Sequence, residues 1–210
     1  MPRLKDQILK LLSQDDIQAT LPQLLKFPLR KIINPLFGAL LNPDPKIKWH
    51  GVSGFGCVTN ALAQTNVEDA RIIMRRCMWM LNDESGGIGW GIPEAMGESM
   101  ALNAKLADEY HSILFSYLRE DSRGKDNFLE YAPLRRGAFW GTARLAQARP
   151  KLAITAQDKI ENALSQEKDE YILAYCLLYQ QILGLKKNKS KPLGITLRIY
   201  WNYQFINFSV

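Results

Sequence analysis

Histidine is nearly missing from this 210-residue chain. Only His50 and His111 occur. Two histidines with no cysteine pair beside them build no metal site. The three cysteines, Cys57, Cys77 and Cys176, are odd in number and far apart, with no C-x-x-C spacing. Each sits in an apolar context, which predicts buried free thiols in reducing surroundings. No apolar run approaches the roughly 18 residues of a membrane span. The start, MPRLKDQILKLL, is basic, but acidic and polar residues break its apolar stripe, unlike a secretory signal. A cytoplasmic location with no membrane partner is the expectation.

Catalytic motifs are also missing. Gly51-Val52-Ser53-Gly54-Phe55 places Gly54 and Phe55 where a nucleophile elbow needs a variable residue and then glycine. The glycines of Gly86-Gly87-Ile88-Gly89-Trp90-Gly91 follow a helical pattern rather than a strand, so they do not form a dinucleotide fingerprint. No catalytic residue, metal ligand set or cofactor emerges, and enzymatic activity stays open.

Acid is missing from one end. Residues 184–210 carry five Lys/Arg and no Asp/Glu, and residues 1–48 carry eight Lys/Arg against four acids. The middle, 49–183, holds 14 bases against 17 acids, so the net charge of +6 sits at the two ends. Such ends attract nucleic acid or acidic partners, or simply form a solvated surface.

What is there reads as helix. Leu4, Ile8, Leu11 and Leu12 give an amphipathic helix over 3–13. Asp15 and Asp16 can cap a second over 17–26, and Pro28 can open a third over 28–41, which Pro35 should bend or divide. Asn42-Pro43-Asp44-Pro45 is a break. The chain then repeats itself: WHGVSGFGCVTNALAQ near Trp49, WGIPEAMGESMALNAK near Trp90 and RGAFWGTARLAQAR near Arg136. Aligning Gly56, Gly97 and Gly141 gives steps of 41 and 44 residues, and Trp49 and Trp90 each precede their glycine by seven. A period near forty fits paired helices. Intervening helices are expected over 66–81, 105–119 and 155–164, and a final helix over 168–183. The glycines imply close helix approach, or helix starts, and Gly86-Gly87-Ile88-Gly89 reads as a turn. The fold expected is all-α: a HEAT-like superhelix, a short solenoid of antiparallel helix pairs. It forms one domain over 1–185, with its clearest repeats at 45–150. Residues 186–194 are a basic linker. Residues 195–210, aromatic and β-branched, could be one strand, a packed cap or poorly ordered chain.

In a solenoid the same face of successive repeats lines one concave surface. Trp90, Glu94 and Glu98 stand at steps of four, as do Arg136, Trp140 and Arg144, with Arg135 adjacent. Trp49 and His50 open the first repeat. These nine residues are the candidate binding groove. The two carboxylates could do acid/base work or hold a cation, and the aromatic and arginine residues could stack on a planar or anionic ligand. Alternatively, Glu94 serves its helix terminus, Glu98 pairs with a base on the next repeat, and the tryptophans are packing.

These repeats resemble HEAT-like repeat proteins over about 45–183. Gly87-Ile88-Gly89-Trp90-Gly91-Ile92-Pro93-Glu94-Ala95 resembles a signature of an uncharacterised bacterial branch of that group. The resemblance implies an α-solenoid with a binding role toward a protein or peptide, and no defined reaction. A more distant similarity is to the DNA alkylation-repeat glycosylases. It implies a DNA-binding or DNA-repair role through Trp90, Glu94 in place of the usual Asp, and Arg135 or Arg136, with Trp140 as a further aromatic. The net acidic middle of the chain runs against extended phosphate contact. The oligomeric state is not legible.

Overall fold

The computed structural model describes residues 3–82, 89–120, 127–185 and 194–210. The chain opens with α1 (Leu4–Leu12), α2 (Ile17–Leu24) and α3 (Leu29–Leu40). The Asp16 side chain accepts from the Ala19 amide and starts α2 as its sequence suggests. Pro35 does not divide α3. The amide it lacks would have served the carbonyl of Lys31, an exposed residue of the first turn, where water can replace it.

The body is four helices side by side. They are α4 (Pro45–Thr65), α6 (Ile92–Leu102), α8 (Ala132–Ala148) and α11 (Glu170–Ile182). Each packs on the next in that order. Between them in sequence run α5 (Val67–Leu81), α7 (Ala104–Ser116), and α9 (Pro150–Ala153) leading through a single tight turn into α10 (Gln157–Gln166). These form a second layer antiparallel to the first, so the expected stack of antiparallel pairs is the architecture of the chain. The reversals are abrupt because one extended residue makes each of the first two. Asn66 ends α4 and its side chain accepts from the Glu68 amide; Asn103 ends α6 and accepts from the Leu106 amide. Among the described residues no helix is long and apolar enough to cross a membrane. The expected turn at Gly86-Gly87-Ile88 and the linker over 186–193 lie outside the described residues.

The marking glycines are where the inner layer closes. Gly51, Gly54 and Gly56 lie inside α4 and are not helix starts. Gly97 of α6 faces Gly141 of α8 backbone to backbone, so a Cβ on Gly97 would collide with the Gly141 Cα. Gly56 faces the Glu98 side chain in the same way. With no side chain on these glycines the helices approach closely, which offsets the loss of helix propensity.

The tail is a β-hairpin. Strands β1 (Thr196–Trp201) and β2 (Gln204–Ser209) pair antiparallel with Trp201 opposite Gln204. Asn202 and Tyr203 form the two-residue turn at φ 49° and 68°, the left-handed pair that such hairpins require. The hairpin is built into the helical core. Ile199, Tyr200 and Trp201 are buried. The Trp140 Nε1 donates to the Tyr200 carbonyl at 2.8 Å, and Tyr200 shares a 3.1 Å hydrogen bond with Ser53.

Candidate functional site

The hairpin decides which part of the inner face is open. The Tyr200 ring stacks on Trp49 at 5.1 Å, and Trp201 meets Trp140 edge to face at 5.9 Å. Trp140 is thus 2% exposed, a packing residue rather than a groove wall. Further along, Arg144 Nε donates to Glu98 Oε2 at 2.7 Å, and the Tyr203 hydroxyl donates to Glu98 Oε1 at 3.3 Å. Glu98 is therefore paired across the repeats, and the hairpin turn closes over the pair.

The other predicted residues separate in the same manner. His50 is buried and its Nδ1 donates to the Leu12 carbonyl at 2.8 Å, tying α4 to α1. Burial lowers its pKa, which favours the neutral ring. Arg135 donates to the carbonyls of Leu129 and Glu130 and pairs with Glu167 at 2.7 Å. It fixes the approach to α8 and the loop before α11. Arg136 donates through Nε to both Asp169 oxygens at 3.0 Å, and Asp169 in turn caps α11. Each of the three arginines expected on the groove walls is thus tied to a carboxylate.

Four of the nine residues remain together. Trp49, Trp90, Glu94 and Arg136 line one cavity of about 530 Å³. It lies where α4, α6, α8 and α11 all begin, and the hairpin supplies Arg198, Ile199, Tyr200 and Phe205 to its wall. Asp44, Pro45, Lys46 and Lys48 come from the start of α4, Pro133 from α8, and Tyr171 and Tyr175 from α11. Sequence reasoning missed the α11 tyrosines and every hairpin residue. The tyrosines carried a usable signal, because Tyr171 and Tyr175 stand one turn apart at a helix start. The hairpin residues carried none until the hairpin was known to fold back.

Local sequence explains the floor. Gly91, at φ 74°, turns the chain after Trp90 into α6, and Pro93 fits the first turn. Trp90 therefore precedes the helix instead of sharing a helical face with Glu94 and Glu98 as its spacing suggests, and Glu94, in the first turn, is only 6% exposed. Its carboxylate rests on Gly137 of α8, where any Cβ would collide with it. Glu94 Oε1 lies 3.5 Å from the Lys48 ammonium. Glu94 Oε2 is buried with no hydrogen-bond partner among the described residues. Buried polar atoms are nearly always paired, and each that is not needs a reason.

Chemically, the cavity offers aromatic walls and a carboxylate with unused acceptor capacity. Among the described residues no group of three or more His, Cys, Asp and Glu is placed to hold a metal ion. Burial pushes the Cys77 thiol up to about 12 and raises those of Cys57 and Cys176 as well. Cys57 is only half-buried, against expectation, because it lies on the inner face beside Glu98.

No family model matches this chain. No curated protein matches it either. Among solved structures it is similar to a designed armadillo repeat protein, YIII(Dq)4CqI, with 16% identity, 90% of this chain and 85% of that chain covered, and a TM-score of 0.45. The helix stack described above stands on this chain's own packing.

Proposed function

We propose that the chain is a repeat-type binding module for a protein or peptide segment, and that the cavity at the start of the inner helices is its recognition pocket. The observation that carries this reading is Glu94: a buried carboxylate whose Oε2 has no hydrogen-bond partner among the described residues, at the floor of an aromatic-lined cavity. The cavity volume falls in the ordinary range of ligand pockets, roughly 300–1,000 Å³, large enough for one or two side chains of a bound segment. The hairpin narrows the face expected to be an open groove and leaves this end of it. A DNA track is less well supported, because Arg135, Arg136 and Arg144 all hold carboxylates of the chain itself.

The test is selection of random peptides on the full chain, followed by affinity measurements on Trp90→Ala and Glu94→Gln. Selected peptides should bind the wild type and lose roughly tenfold or more, about 1.4 kcal/mol, in each variant. Selected peptides that bind both variants as well as the wild type would place recognition elsewhere, and the reading would fail.

A further inference from the structure

We propose that the cavity receives a cationic group, an ammonium or guanidinium on the bound segment, and that Lys48 occupies it in the free chain as a displaceable internal substitute. This rests on the binding reading above and names the chemistry of what enters.

The argument begins with the pairing of Glu94. A buried carboxylate wants N–H donors, and among the described residues Glu94 Oε2 has none within hydrogen-bonding geometry. The Lys48 ammonium stands 3.5 Å from Glu94 Oε1, with the lysine side chain still 27% exposed. A charge-assisted N–H···O bond spans about 2.7–2.9 Å. The other pairs of the inner face reach that range: Arg144 to Glu98 at 2.7 Å, Arg135 to Glu167 at 2.7 Å and Arg136 to Asp169 at 2.9 Å. Lys48 is therefore near the carboxylate without being seated on it. Its ammonium also lies 5.7 Å from the centroid of the Trp49 ring, within the range of a cation–π contact. The internal cation thus marks a position between an indole and a carboxylate that a better-fitting cation can take.

Exchange of cations keeps the charge balance. An incoming guanidinium replaces one ammonium beside Glu94, and the partly exposed Lys48 side chain swings to water. No net charge is added to the buried carboxylate's surroundings. Two other cations of the wall are already neutralised, Arg136 by Asp169 and Lys46 by Asp15 at 2.8 Å. Arg198, which lies over the Phe205 ring at 4.6 Å, has no carboxylate partner among the described residues. An anion held by Lys48 and Arg198 is accordingly the rival occupant, and Lys48 separates the two. For a cation Lys48 is a competitor; for an anion it is a ligand.

The experiment titrates the full chain with N-acetyl-arginine amide, its neutral isostere N-acetyl-citrulline amide, and inorganic phosphate, following indole NMR signals. The arginine probe should bind, and the citrulline probe should bind roughly tenfold more weakly. Lys48→Met should tighten the arginine probe by roughly three- to tenfold, because the competing state is removed. Glu94→Gln should abolish the preference for arginine over citrulline. Glu94→Asp, which keeps the charge, should retain it at reduced affinity and serves if the amide variant fails to fold. The proposal is overturned if Lys48→Met weakens the arginine probe, if citrulline binds as well as arginine, if phosphate binds in its place, or if arginine shows no binding at about 50 mM, near the weakest affinity such a contact could have. The two readings fail separately. Selected peptides that depend on Trp90 but contain no basic residue would remove the cation and leave the binding module. Arginine binding without any selectable peptide would do the reverse.

Discussion

Arg144 and Glu98 join α8 to α6 across the closest part of the helix stack, Nε to Oε2 at 2.7 Å, with side chains only 15% and 3% exposed. Removing one partner leaves the other charge buried without compensation. Arg144→Ala should therefore destabilise the chain by about 3–5 kcal/mol. The double change to Met at both positions should cost much less than the sum of the two single changes. Urea unfolding of the four proteins measures this; equal and additive losses would mean that the pair acts only as packing.

The glycine contacts predict effects of opposite sign. Gly97→Ala drives a methyl into the Gly141 backbone, which has no side chain to move aside. A loss of about 1–3 kcal/mol, or more if the helices cannot separate, is expected from overpacking. Gly38 lies on the exposed side of α3 with nothing within 4 Å of an added Cβ. Gly38→Ala should stabilise by about 0.5–1 kcal/mol. Thermal unfolding of both variants gives the comparison.

How much of this was readable follows from the same residues. The recurring Gly56, Gly97 and Gly141 announce the inner helices because close approach requires a missing side chain at a regular step. Asp16 was legible as a cap, whereas Asn66, Asn103 and Asp169, which start α5, α7 and α11 by the same local hydrogen bonding, were not singled out. The turn Asn202-Tyr203 was not legible, since tyrosine rarely adopts a left-handed φ and is held there by its surroundings. With the hairpin unread, Trp140 and Glu98 looked like groove residues, whereas Tyr200, Trp201 and Tyr203 cover them. Trp90 and Glu94 were legible as a pair from their spacing of four, although Trp90 precedes α6 and the left-handed Gly91, not a helical turn, brings the two to one cavity.

His50 supplies a pH dependence. Burial depresses its pKa in the folded chain below the ordinary histidine value of about 6.5. Above that value the ring is neutral in both states and its contribution to stability is complete. As pH falls below it, the unfolded chain takes up a proton that the folded chain resists, and stability falls by at most about 1.4 kcal/mol per pH unit. Between pH 7 and pH 5 the wild type should lose stability, and His50→Gln should lose less. Equal slopes would mean that the ring is free to protonate in place.

The hairpin should contribute to the core in proportion to what it buries. Tyr200→Phe removes the hydrogen bond to Ser53 and should cost about 1 kcal/mol. Trp201→Ala empties a 5% exposed site against Trp140 and should cost about 3–5 kcal/mol, with a change in tryptophan emission. Chemical unfolding followed by fluorescence checks both.

Ile72 and Trp79, 55% and 67% exposed on α5 in the outer layer, form a rival surface to the cavity. Amide hydrogen exchange, with and without a peptide selected on the full chain, separates the two sites most directly. The account predicts slowed exchange in the first turns of α6 and α8 and along residues 198–205 of the hairpin, with α5 unchanged. Protection confined to α5 around Ile72 and Trp79, with the cavity segments exchanging as before, would contradict it.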